Sequence, residues 1–386
     1  MPAELVSLPH ARLVFNEEHV PYSEEFADVY HSAAGGPEQS RHVFIQGCGL
    51  PGGWRNHERF CIVETGFGLG LNFLQTWEAF EEDRDAPARL HFVSVESHPC
   101  RLEDLARAHT RWPWHARRSQ ALLSQWPLPL KGFHRLQFAG GRVVLTLLLG
   151  DALECLRELE ASADAIYLDG FAPARNPDMW SAALFTQLAR LSHAGTQLAT
   201  WSVAGRVRAG LQGAGFAPER RPGFAGKREM LVARYQPPGP ATVQPSRPNR
   251  AIVIGAGLAG TACAQALARR GMAVTVLERH AGPAAEASGN PQGLCAPLLN
   301  PGDAPNARLS RAAFLHACRH YGALELVAGA PVPAAGSLRI LRDEREAQRY
   351  RQLLEQRAFP AQFARFVPAP EMAAHAGHAS SRSGIW

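Results

Sequence analysis

Short apolar runs alternate with amphipathic stretches through the first 235 residues of the chain. The apolar runs predict strands at residues 59–63, 90–95, 143–149, 165–168 and 197–201, and the helical periodicity between them predicts helices at residues 71–80, 102–109, 152–160 and 179–191. Because strands alternate with helices, this part is expected to form an α/β fold with a mainly parallel, doubly wound sheet. Residues 216–221 and 230–235 are expected to close the sheet as an antiparallel hairpin, and residues 42–53 to form a small β extension.

A proline-rich segment divides the chain. Residues 236–250 contain five prolines and no apolar periodicity, which is typical of a linker. We therefore expect one domain at residues 1–235 and another at residues 251–386. In the second domain the pattern predicts a strand at 251–254, a helix to about 270, a strand at 272–277 and helices at 309–327 and 344–358.

Composition adds a modest basic excess and little else. The formal net charge is +5, which is compatible with nucleic-acid binding without requiring it. The seven cysteines are scattered and form no CxxC pair, so we expect reduced thiols and no metal site. No apolar run approaches the length of a membrane span, and the N-terminus has no secretion signal pattern. The expectation is a cytoplasmic monomer that does not bind membranes.

The first glycine-rich loop, Glu64-x-Gly66-x-Gly68-x-Gly70, follows a predicted strand and opens a helix. Acidic residues also end the next two strands, at Glu96 and at Asp151. Such a set suits S-adenosylmethionine, because its positive sulfonium tolerates carboxylates that would repel a pyrophosphate. The predicted donor-binding residues are Glu64, Gly66, Gly68, Gly70, Asn72, Glu96, Asp151, Ala152 and Asp169. The alternative is an ordinary α/β domain whose glycines serve helix packing.

The segment after the fourth of these strands carries candidate acid–base residues. An alkylammonium acceptor must lose a proton before it attacks a methyl donor, and a carboxylate can hold the cation and take that proton. Asp178 is the first candidate for this catalytic role and Asp169 the second. The alternative for Asp178 is the N-cap of a helix that begins at Met179. Trp180 and Trp201 could stack on a flipped base or lie in the core.

The second glycine-rich loop, Gly255-x-Gly257-x-x-Gly260, lies between a predicted strand and a helix. Glu278 ends the next strand, about 20 residues further on, where it can accept hydrogen bonds from an adenosine ribose. This is the dinucleotide-binding fingerprint in its expected setting. The loop by itself does not separate FAD from NAD.

Two long motifs carry a family resemblance. Residues 169–180 (DGFAPARNPDMW) and 64–73 (ETGFGLGLNF) closely resemble signatures of the bifunctional tRNA 5-methylaminomethyl-2-thiouridine biosynthesis family, and shorter pieces match at 213–216, 221–224 and 227–231. Residues 287–293 (ASGNPQG) are similar to the oxidase half of that family. This likeness to D-amino-acid-oxidase-type flavoenzymes favours FAD for the second loop and adds Ser288 to Gly255, Gly257, Gly260 and Glu278 as expected FAD-binding residues.

The resemblance implies two modules. The first is a Rossmann-like methyltransferase that uses S-adenosylmethionine to methylate the 5-aminomethyl group of a tRNA wobble uridine (U34). The second is an FAD-dependent oxidase that first removes a carboxymethyl group from the same amine. A basic cluster late in the first module is the expected tRNA contact: Arg206, Arg208, Arg220, Arg221, Lys227 and Arg228. The family's oxidase half is longer than residues 251–386, so we expect a partial FAD-binding Rossmann domain, truncated at its C-terminus, with exposed apolar surface, weak flavin binding and impaired oxidase activity.

Other functions stay open at this point. An FAD-dependent amine oxidase whose N-terminal domain positions substrate would need a complete flavin fold. A polyamine-type small-molecule transferase would share the donor fold but would not need the basic cluster. A tRNA-binding module without catalysis would not bind S-adenosylmethionine.

Overall fold

The structure is a computed structural model that describes residues 5–16, 20–237, 248–291, 293–300, 303–322, 336–378 and 380–386. The chain forms two compact units. The first consists of Met1–Ala241 together with Pro297–Trp386, and the second of Thr242–Ala296. Most of the expected linker, residues 238–247, lies outside the described residues, as do residues 323–327 of a predicted helix. The domain bounds expected from the sequence stay a prediction.

The N-terminal segment forms a small antiparallel sheet of β1 (Leu13–Phe15), β2 (Pro21–Ser23) and β3 (Asp28–Val29), followed by helix α1 (Gly36–Ser40). The prediction of a β extension at residues 42–53 is wrong. A π-helical turn occupies Arg41–Gln46, and a 3-10 turn occupies Gly52–Trp54. Three successive buried apolar residues, Val43 to Ile45, fit a strand or a helix equally well by pattern. Packing decides for the helix, since the Phe44 ring lies 5.2 Å from that of Tyr167 in the core.

The central sheet has eight strands in the order β10-β11-β9-β8-β4-β5-β7-β6. Their bounds are β4 Arg59–Glu64, β5 Arg89–Glu96, β6 Gly132–Phe138, β7 Val143–Leu149, β8 Ala163–Tyr167, β9 Ser192–Thr200, β10 Phe216–Pro222 and β11 Glu229–Tyr235. Strands β9, β8, β4, β5 and β7 run parallel, and the antiparallel hairpin β10-β11 closes one edge. The α/β prediction is confirmed, and the antiparallel edge strand β6 is added to it.

Helices cover both faces of this sheet: α2 Leu71–Glu82, α3 Leu102–His109, α4 Ala116–Leu123, α5 Ala152–Glu158, α6 Ala182–Arg190 and α7 Gly205–Gly213. Two apolar cores result, one on each side. From β4 the chain continues to β5 and β7 on one side, and later to β8 and β9 on the other. The carboxyl ends of β4, β5 and β8 therefore meet at a topological switch point, where open α/β sheets bind ligands.

The second unit is a βαβ element of β12 (Arg250–Ile254), α8 (Leu258–Ala268) and β13 (Ala273–Leu277). The two strands pair in parallel, with Val253 opposite Val276. Large apolar side chains of this unit are exposed, among them Ile254 at 87% and Leu294 at 81%.

The C-terminal part of the first unit contains α9 (Pro305–Gly322), β14 (Arg339–Ile340), α10 (Glu344–Arg357), β15 (Phe366–Val367), α11 (Met372–Ala376) and β16 (Gly384–Ile385). The strands form a small sheet in the order β14-β16-β15. Its apolar core includes Val6 and Leu130 from the N-terminal part of the chain. The backbone N–H of Val6 also donates to the carbonyl of Arg357 at 3.1 Å. This region therefore packs against the edge of the central sheet.

Candidate functional site

A cavity of about 1240 Å³ lies at the carboxyl ends of the central strands. Most residues predicted for the site line it: Gly66, Gly68, Asn72, Glu96, Asp151, Ala152, Asp169 and Asp178. Among the described residues of the predicted set for this cavity, Glu64 and Gly70 are outside the lining. The fold thus brings together residues that are far apart in the chain, from Gly66 to Asp178, around one space.

Asn72, in the first turn of α2, joins two carboxylates. Its amide nitrogen donates to Glu64 Oε1 at 2.9 Å and to Asp169 Oδ2 at 2.8 Å. Its amide oxygen accepts from the Ser40 hydroxyl at 2.6 Å. A primary amide has two N–H donors, so both are used, and the amide is held in one orientation. Asn72 therefore fixes the distance between the first glycine-rich loop and the loop after β8.

Glu64 holds the Asn72 amide from the buried side of the cavity wall. It is fully buried, and its second carboxylate oxygen accepts from the Ser94 hydroxyl at 2.6 Å. Burial raises the pKa of Glu64 well above its usual value, because charge is disfavoured away from water, while the hydrogen bonds from Ser94 and Asn72 oppose that shift. Its contribution to the cavity is the positioning of Asn72.

Asp169 is held at every polar atom. Its carboxylate accepts from the Gly170 N–H at 2.8 Å and from the Trp201 indole N–H at 3.1 Å, in addition to Asn72. Its backbone N–H donates to the Thr65 hydroxyl, which in turn donates to the Asp169 carbonyl. Burial raises the pKa of Asp169, and these hydrogen bonds to the ionised form oppose the shift. The carboxylate is a rigid part of the cavity wall.

Glu96 closes the first glycine-rich loop onto β5. Its carboxylate oxygens accept from the backbone N–H groups of Gly68 and His98, each at 2.8 Å. A carboxylate has about four acceptor positions, so acceptor capacity remains for a hydroxyl donor of a ligand. Burial raises the pKa of Glu96 to about 7. The Glu96 carboxyl group therefore changes from its neutral to its ionised form near neutral pH.

The loop glycines differ in what they do. Gly70 has a left-handed backbone with φ 72°, and a Cβ there would lie 2.7 Å from the Phe67 ring. It is needed for the turn itself. A Cβ on Gly66 would lie 3.4 Å from the Asp169 carbonyl oxygen, an ordinary van der Waals distance, so packing between the two loops does not require glycine there.

Asp151 caps helix α5 at the far end of the cavity. Its Oδ1 accepts from the backbone N–H of Glu154 at 2.9 Å. The carboxylate is exposed, and the following residue, Ala152, is buried.

Asp178 lies exposed in a 3-10 turn, Pro177–Trp180, at the cavity. Helix α6 begins at Ala182, and the Ser181 hydroxyl accepts from the Leu184 N–H at 3.3 Å. The alternative that Asp178 caps a helix from Met179 is therefore wrong. Trp180 is buried, and its indole N–H donates to the Phe171 carbonyl at 2.9 Å, so it anchors this loop in the core.

The sequence reasoning missed the part that the N-terminal segment plays. Phe26 stacks on Phe171 with ring centroids 4.7 Å apart, and Tyr30 meets the same ring edge-on at 5.1 Å. Asp28 accepts from the Ala172 N–H at 2.8 Å. These contacts hold the segment against the loop that carries Asp169 and Asp178. The aromatic residues at 26 and 30 were the available signal.

Lys227 also belongs to this site. Its ammonium lies 3.7 Å from the centre of the Trp201 ring, and it lines the cavity. Burial lowers the pKa of Lys227, while the nearby carboxylates of Asp28 and Asp169 raise it. The sequence assigned this lysine only to an RNA-facing cluster. Lys227 and Asp169 are far apart in the chain, so local sequence patterns could not show that they lie in the same cavity.

In the second unit, all the residues predicted for the second glycine-rich loop come together. Glu278 accepts from the Ala256 N–H at 2.7 Å and the His280 N–H at 2.9 Å, and both bonds lower its pKa. The Ser288 hydroxyl accepts from the Leu258 N–H at 3.1 Å, at the start of α8. A Cβ on Gly260 would lie 1.9 Å from the Gly255 carbonyl oxygen, so the loop can close only with glycine there.

Two other site classes were tested on the part of the chain that the structure describes. It contains no group of three or more His, Cys, Asp or Glu side chains that could hold a metal ion. None of its helices is long and apolar enough to cross a membrane.

Comparison with known proteins assigns both parts of the chain. Residues 114–236 match a family described as S-adenosyl-L-methionine-dependent methyltransferase, and residues 250–386 match FAD dependent oxidoreductase. A tRNA 5-methylaminomethyl-2-thiouridine biosynthesis bifunctional protein MnmC from Azoarcus sp. is 49% identical over 97% of this chain and 59% of its own length. The MnmC protein of Thiobacillus denitrificans is 50% identical over 94% of this chain and 58% of its own length.

The chain belongs to the MnmC family. It spans a little under three fifths of the length of these curated MnmC relatives. Among solved structures, a crystal structure of MNMC2 from Aquifex aeolicus matches with a TM-score of 0.49 and 21% identity, over 61% of this chain and 73% of that chain. S-adenosylmethionine and FAD are the cofactors of the two matched families.

The cavity of this MnmC family member fits S-adenosylmethionine. Glu96 retains acceptor positions for ribose hydroxyls, and Asp169 supplies negative charge for a sulfonium. A pyrophosphate would face these carboxylates unfavourably. In the second unit, the tight loop that requires glycine at Gly260 fits the pyrophosphate of a dinucleotide such as FAD. The carboxylate of Glu278, whose pKa is lowered, fits the ribose of its adenosine.

Proposed function

We propose that this chain transfers a methyl group from S-adenosylmethionine to the 5-aminomethyl group of 5-aminomethyl-2-thiouridine at the wobble position of tRNA, giving 5-methylaminomethyl-2-thiouridine. The observation that carries this proposal is the shared cavity of Glu96, Asp169 and Asp178, in which donor-binding and proton-accepting carboxylates lie together. The names of the MnmC relatives support the substrate.

Donor binding rests on residues from three strand ends. S-adenosylmethionine supplies an electrophilic methyl group on a positively charged sulfur. Glu96 accepts the ribose hydroxyls, Asp151 accepts from the adenine amino group, and Asp169 faces the positive charge. Glu64 and Asn72 hold Asp169 in place. The backbone at Gly66 and Gly68 lets the ligand approach the loop closely.

The acceptor amine must be neutral to attack, because its lone pair is otherwise bound to a proton. Asp178 is exposed to the cavity and accepts that proton. The ammonium of Lys227 disfavours a second positive charge beside it, so it lowers the pKa of the bound amine. Trp201 and Phe171 provide the apolar faces against which the uridine ring packs.

Binding of tRNA is supported by the basic cluster. Its arginines Arg206, Arg208, Arg220, Arg221 and Arg228 are all exposed. Arg220 pairs with Glu229 at 3.1 Å and Arg221 with Glu219 at 3.6 Å. Exposed ion pairs contribute little free energy, so phosphates can replace these carboxylates as partners. Binding is expected to weaken as salt is added.

The second activity in this proposal belongs to residues 250–386, which match the FAD dependent oxidoreductase family. The loop at Gly255, Gly257 and Gly260, with Glu278 and Ser288, would hold the adenosine and pyrophosphate of FAD. The reaction that the resemblance implies for this part is the FAD-dependent removal of a carboxymethyl group from 5-carboxymethylaminomethyl-2-thiouridine before methylation, and we expect it to be impaired in this chain. We propose that the chain acts on tRNA in the cytoplasm and that it is a monomer.

The test uses purified chain, labelled S-adenosylmethionine and tRNA isolated from cells that leave 5-aminomethyl-2-thiouridine unmethylated. We expect label on the wobble uridine in a nuclease digest. The same tRNA after prior full methylation is the control and should take no label. Absence of transfer to the hypomodified tRNA at stoichiometric enzyme would refute the proposal.

A further inference from the structure

A second cavity, of about 600 Å³, adjoins the first. The two share the lining residues Val20, His31, Ser32, Ala33 and Gly36. Its volume is within the range of cavities that hold small organic ligands. A substrate that extends beyond one nucleoside in the first cavity therefore meets a neighbouring space of suitable size.

His31 presents an unsatisfied acceptor in this shared wall. Its Nδ1 lies 3.1 Å from the Ser32 carbonyl oxygen and donates to it, which makes Nε2 the acceptor of the neutral ring. Nε2 is buried and has no hydrogen-bond partner among the described residues. Burial and the positive charge of Arg111 lower the pKa of His31, so the ring is neutral at neutral pH. A ligand that brings an N–H donor can reach this atom once the imidazole turns toward the cavity, and a buried acceptor without a partner favours that movement.

The remaining walls suit a flat ring. Trp114 lines the second cavity with its side chain 51% exposed, and the facing residues 32–36 (SAAGG) have small side chains. Arg111 adds positive charge and Glu38 adds negative charge. Because Glu38 would repel a phosphate, the cavity suits a base better than a phosphate group. Nucleobases combine a face that stacks on tryptophan with edges that donate N–H groups.

We propose that this second cavity binds the base of the nucleotide next to the modified uridine, stacked on Trp114, and that the His31 imidazole turns so that its Nε2 accepts a hydrogen bond from that base. The inference rests on the proposed function, because it takes the methyl acceptor to be an RNA. Such a base contact would make the enzyme bind RNA more tightly than the free nucleoside, and this preference would not depend on the basic cluster.

The experiment measures RNA binding directly. The probes are a fluorescent anticodon stem-loop with 5-aminomethyl-2-thiouridine at the wobble position, and two copies of it with an abasic site on the 5′ or the 3′ side of that uridine. Trp114→Ala is expected to weaken binding of the intact stem-loop ~5- to 150-fold, the range for loss of one stacked base. Trp114→Phe should restore most of the affinity. Leu102→Ala, which removes a side chain that is 49% exposed and lines neither cavity, is the control.

One abasic stem-loop should bind wild type and Trp114→Ala equally, because the stacked base is already missing. Equal losses from Trp114→Ala on all three RNAs, or no loss on the intact one, would overturn the inference. Methyl transfer is measured in parallel on the same RNAs. If binding follows the expected pattern and no methyl is transferred, the proposed function fails while the base site stands.

Discussion

The amide nitrogen of Asn72 lies 2.8 Å from the Asp169 carboxylate, and this contact joins the helix after the first glycine-rich loop to the loop after β8. The same nitrogen binds Glu64 at 2.9 Å. One side chain thus donates to two acids that would otherwise repel each other, and it sets the distance between them.

Replacing the bridge should damage both stability and donor binding. Asn72→Ala removes one hydrogen-bond donor from each of the carboxylates of Glu64 and Asp169, which costs about 1–3 kcal/mol of unfolding free energy. We expect affinity for S-adenosylmethionine, measured by calorimetry, to fall at least about tenfold, because the Asp169 carboxylate loses the donor that ties it to α2. Asn249→Ala, at an exposed asparagine of the second unit, is the control and should change neither quantity. Unchanged donor affinity in Asn72→Ala would contradict the bridging role.

Donor affinity should rise with pH through neutrality. Burial raises the pKa of Glu96 from 4.5 to about 7, and only its ionised form accepts both ribose hydroxyls. From about pH 6 to about pH 8 the ionised fraction grows from roughly 0.1 to 0.9, so affinity should rise up to about tenfold. Glu96→Gln should bind more weakly and lose most of this dependence. A wild-type affinity that is flat over this range would rule Glu96 out as the titrating group.

The same shifts have the opposite sign for the stability of the ligand-free protein. A carboxyl group whose folded pKa is raised stabilises the fold below its ordinary pKa, and this contribution is lost as pH rises through the folded pKa. For Glu96 the loss falls between about 4.5 and about 7. Glu64 and Asp169 shift in the same direction. Thermal unfolding without ligand should therefore occur at higher temperature near pH 5 than near pH 8, and Glu96→Gln should reduce that difference.

Asp178 should matter for transfer and not for donor binding. Asp178→Asn keeps the shape of the side chain and removes the proton acceptor, so the transfer rate at neutral pH should fall about 10²- to 10⁴-fold. The loss should shrink at alkaline pH, where the amine deprotonates in solution. Glu103→Gln, at an exposed acid of α3, is the matched control. If Asp178→Asn lowers donor affinity and rate by the same factor, Asp178 is a positioning residue.

Lys227 should set the pH dependence of the acceptor. Lys227→Met removes a positive charge 3.7 Å from the Trp201 ring, so the bound amine should keep its proton to higher pH. The transfer-rate profile should shift toward alkaline pH by up to about one unit, and Lys227→Arg should restore it. Arg228→Met is the control for loss of charge from the basic cluster. A profile that moves equally in both Met variants would assign the effect to RNA binding.

Gly260 should be required for flavin binding in the second unit. Gly260→Ala places a Cβ at 1.9 Å from the Gly255 carbonyl oxygen and must distort the loop. FAD affinity, titrated by quenching of flavin fluorescence so that weak binding also registers, should fall at least about tenfold. Gly282→Ala, where a Cβ meets no atom within 4 Å, should bind like wild type. Methyl transfer should be the same in both variants.

Local patterns in the sequence were enough to predict the parallel core. Strands β4, β5, β7, β8 and β9 were predicted because each is a short apolar run between turn residues, and the two glycine-rich loops because each stands between a strand and a helix. Edge strand β6 was missed although its buried residues His134, Leu136 and Phe138 alternate, since polar residues between them weaken the apolar signal. The helical turn at Arg41–Gln46 was predicted as β structure because its three successive apolar residues, Val43 to Ile45, fit a strand or a helix equally well.

The sequence by itself determined the chemistry of this protein: which acids end which strands, where glycine permits close approach, and which family the motifs resemble. Those properties are local, because they depend on residue type and on spacing within one strand and turn. Only the tertiary structure decided that Glu64 acts through Asn72, that Lys227 faces the donor cavity, and that the N-terminal aromatic residues close it. Such contacts join residues far apart in the chain, and they exist because the sheet order brings separate strand ends to one edge.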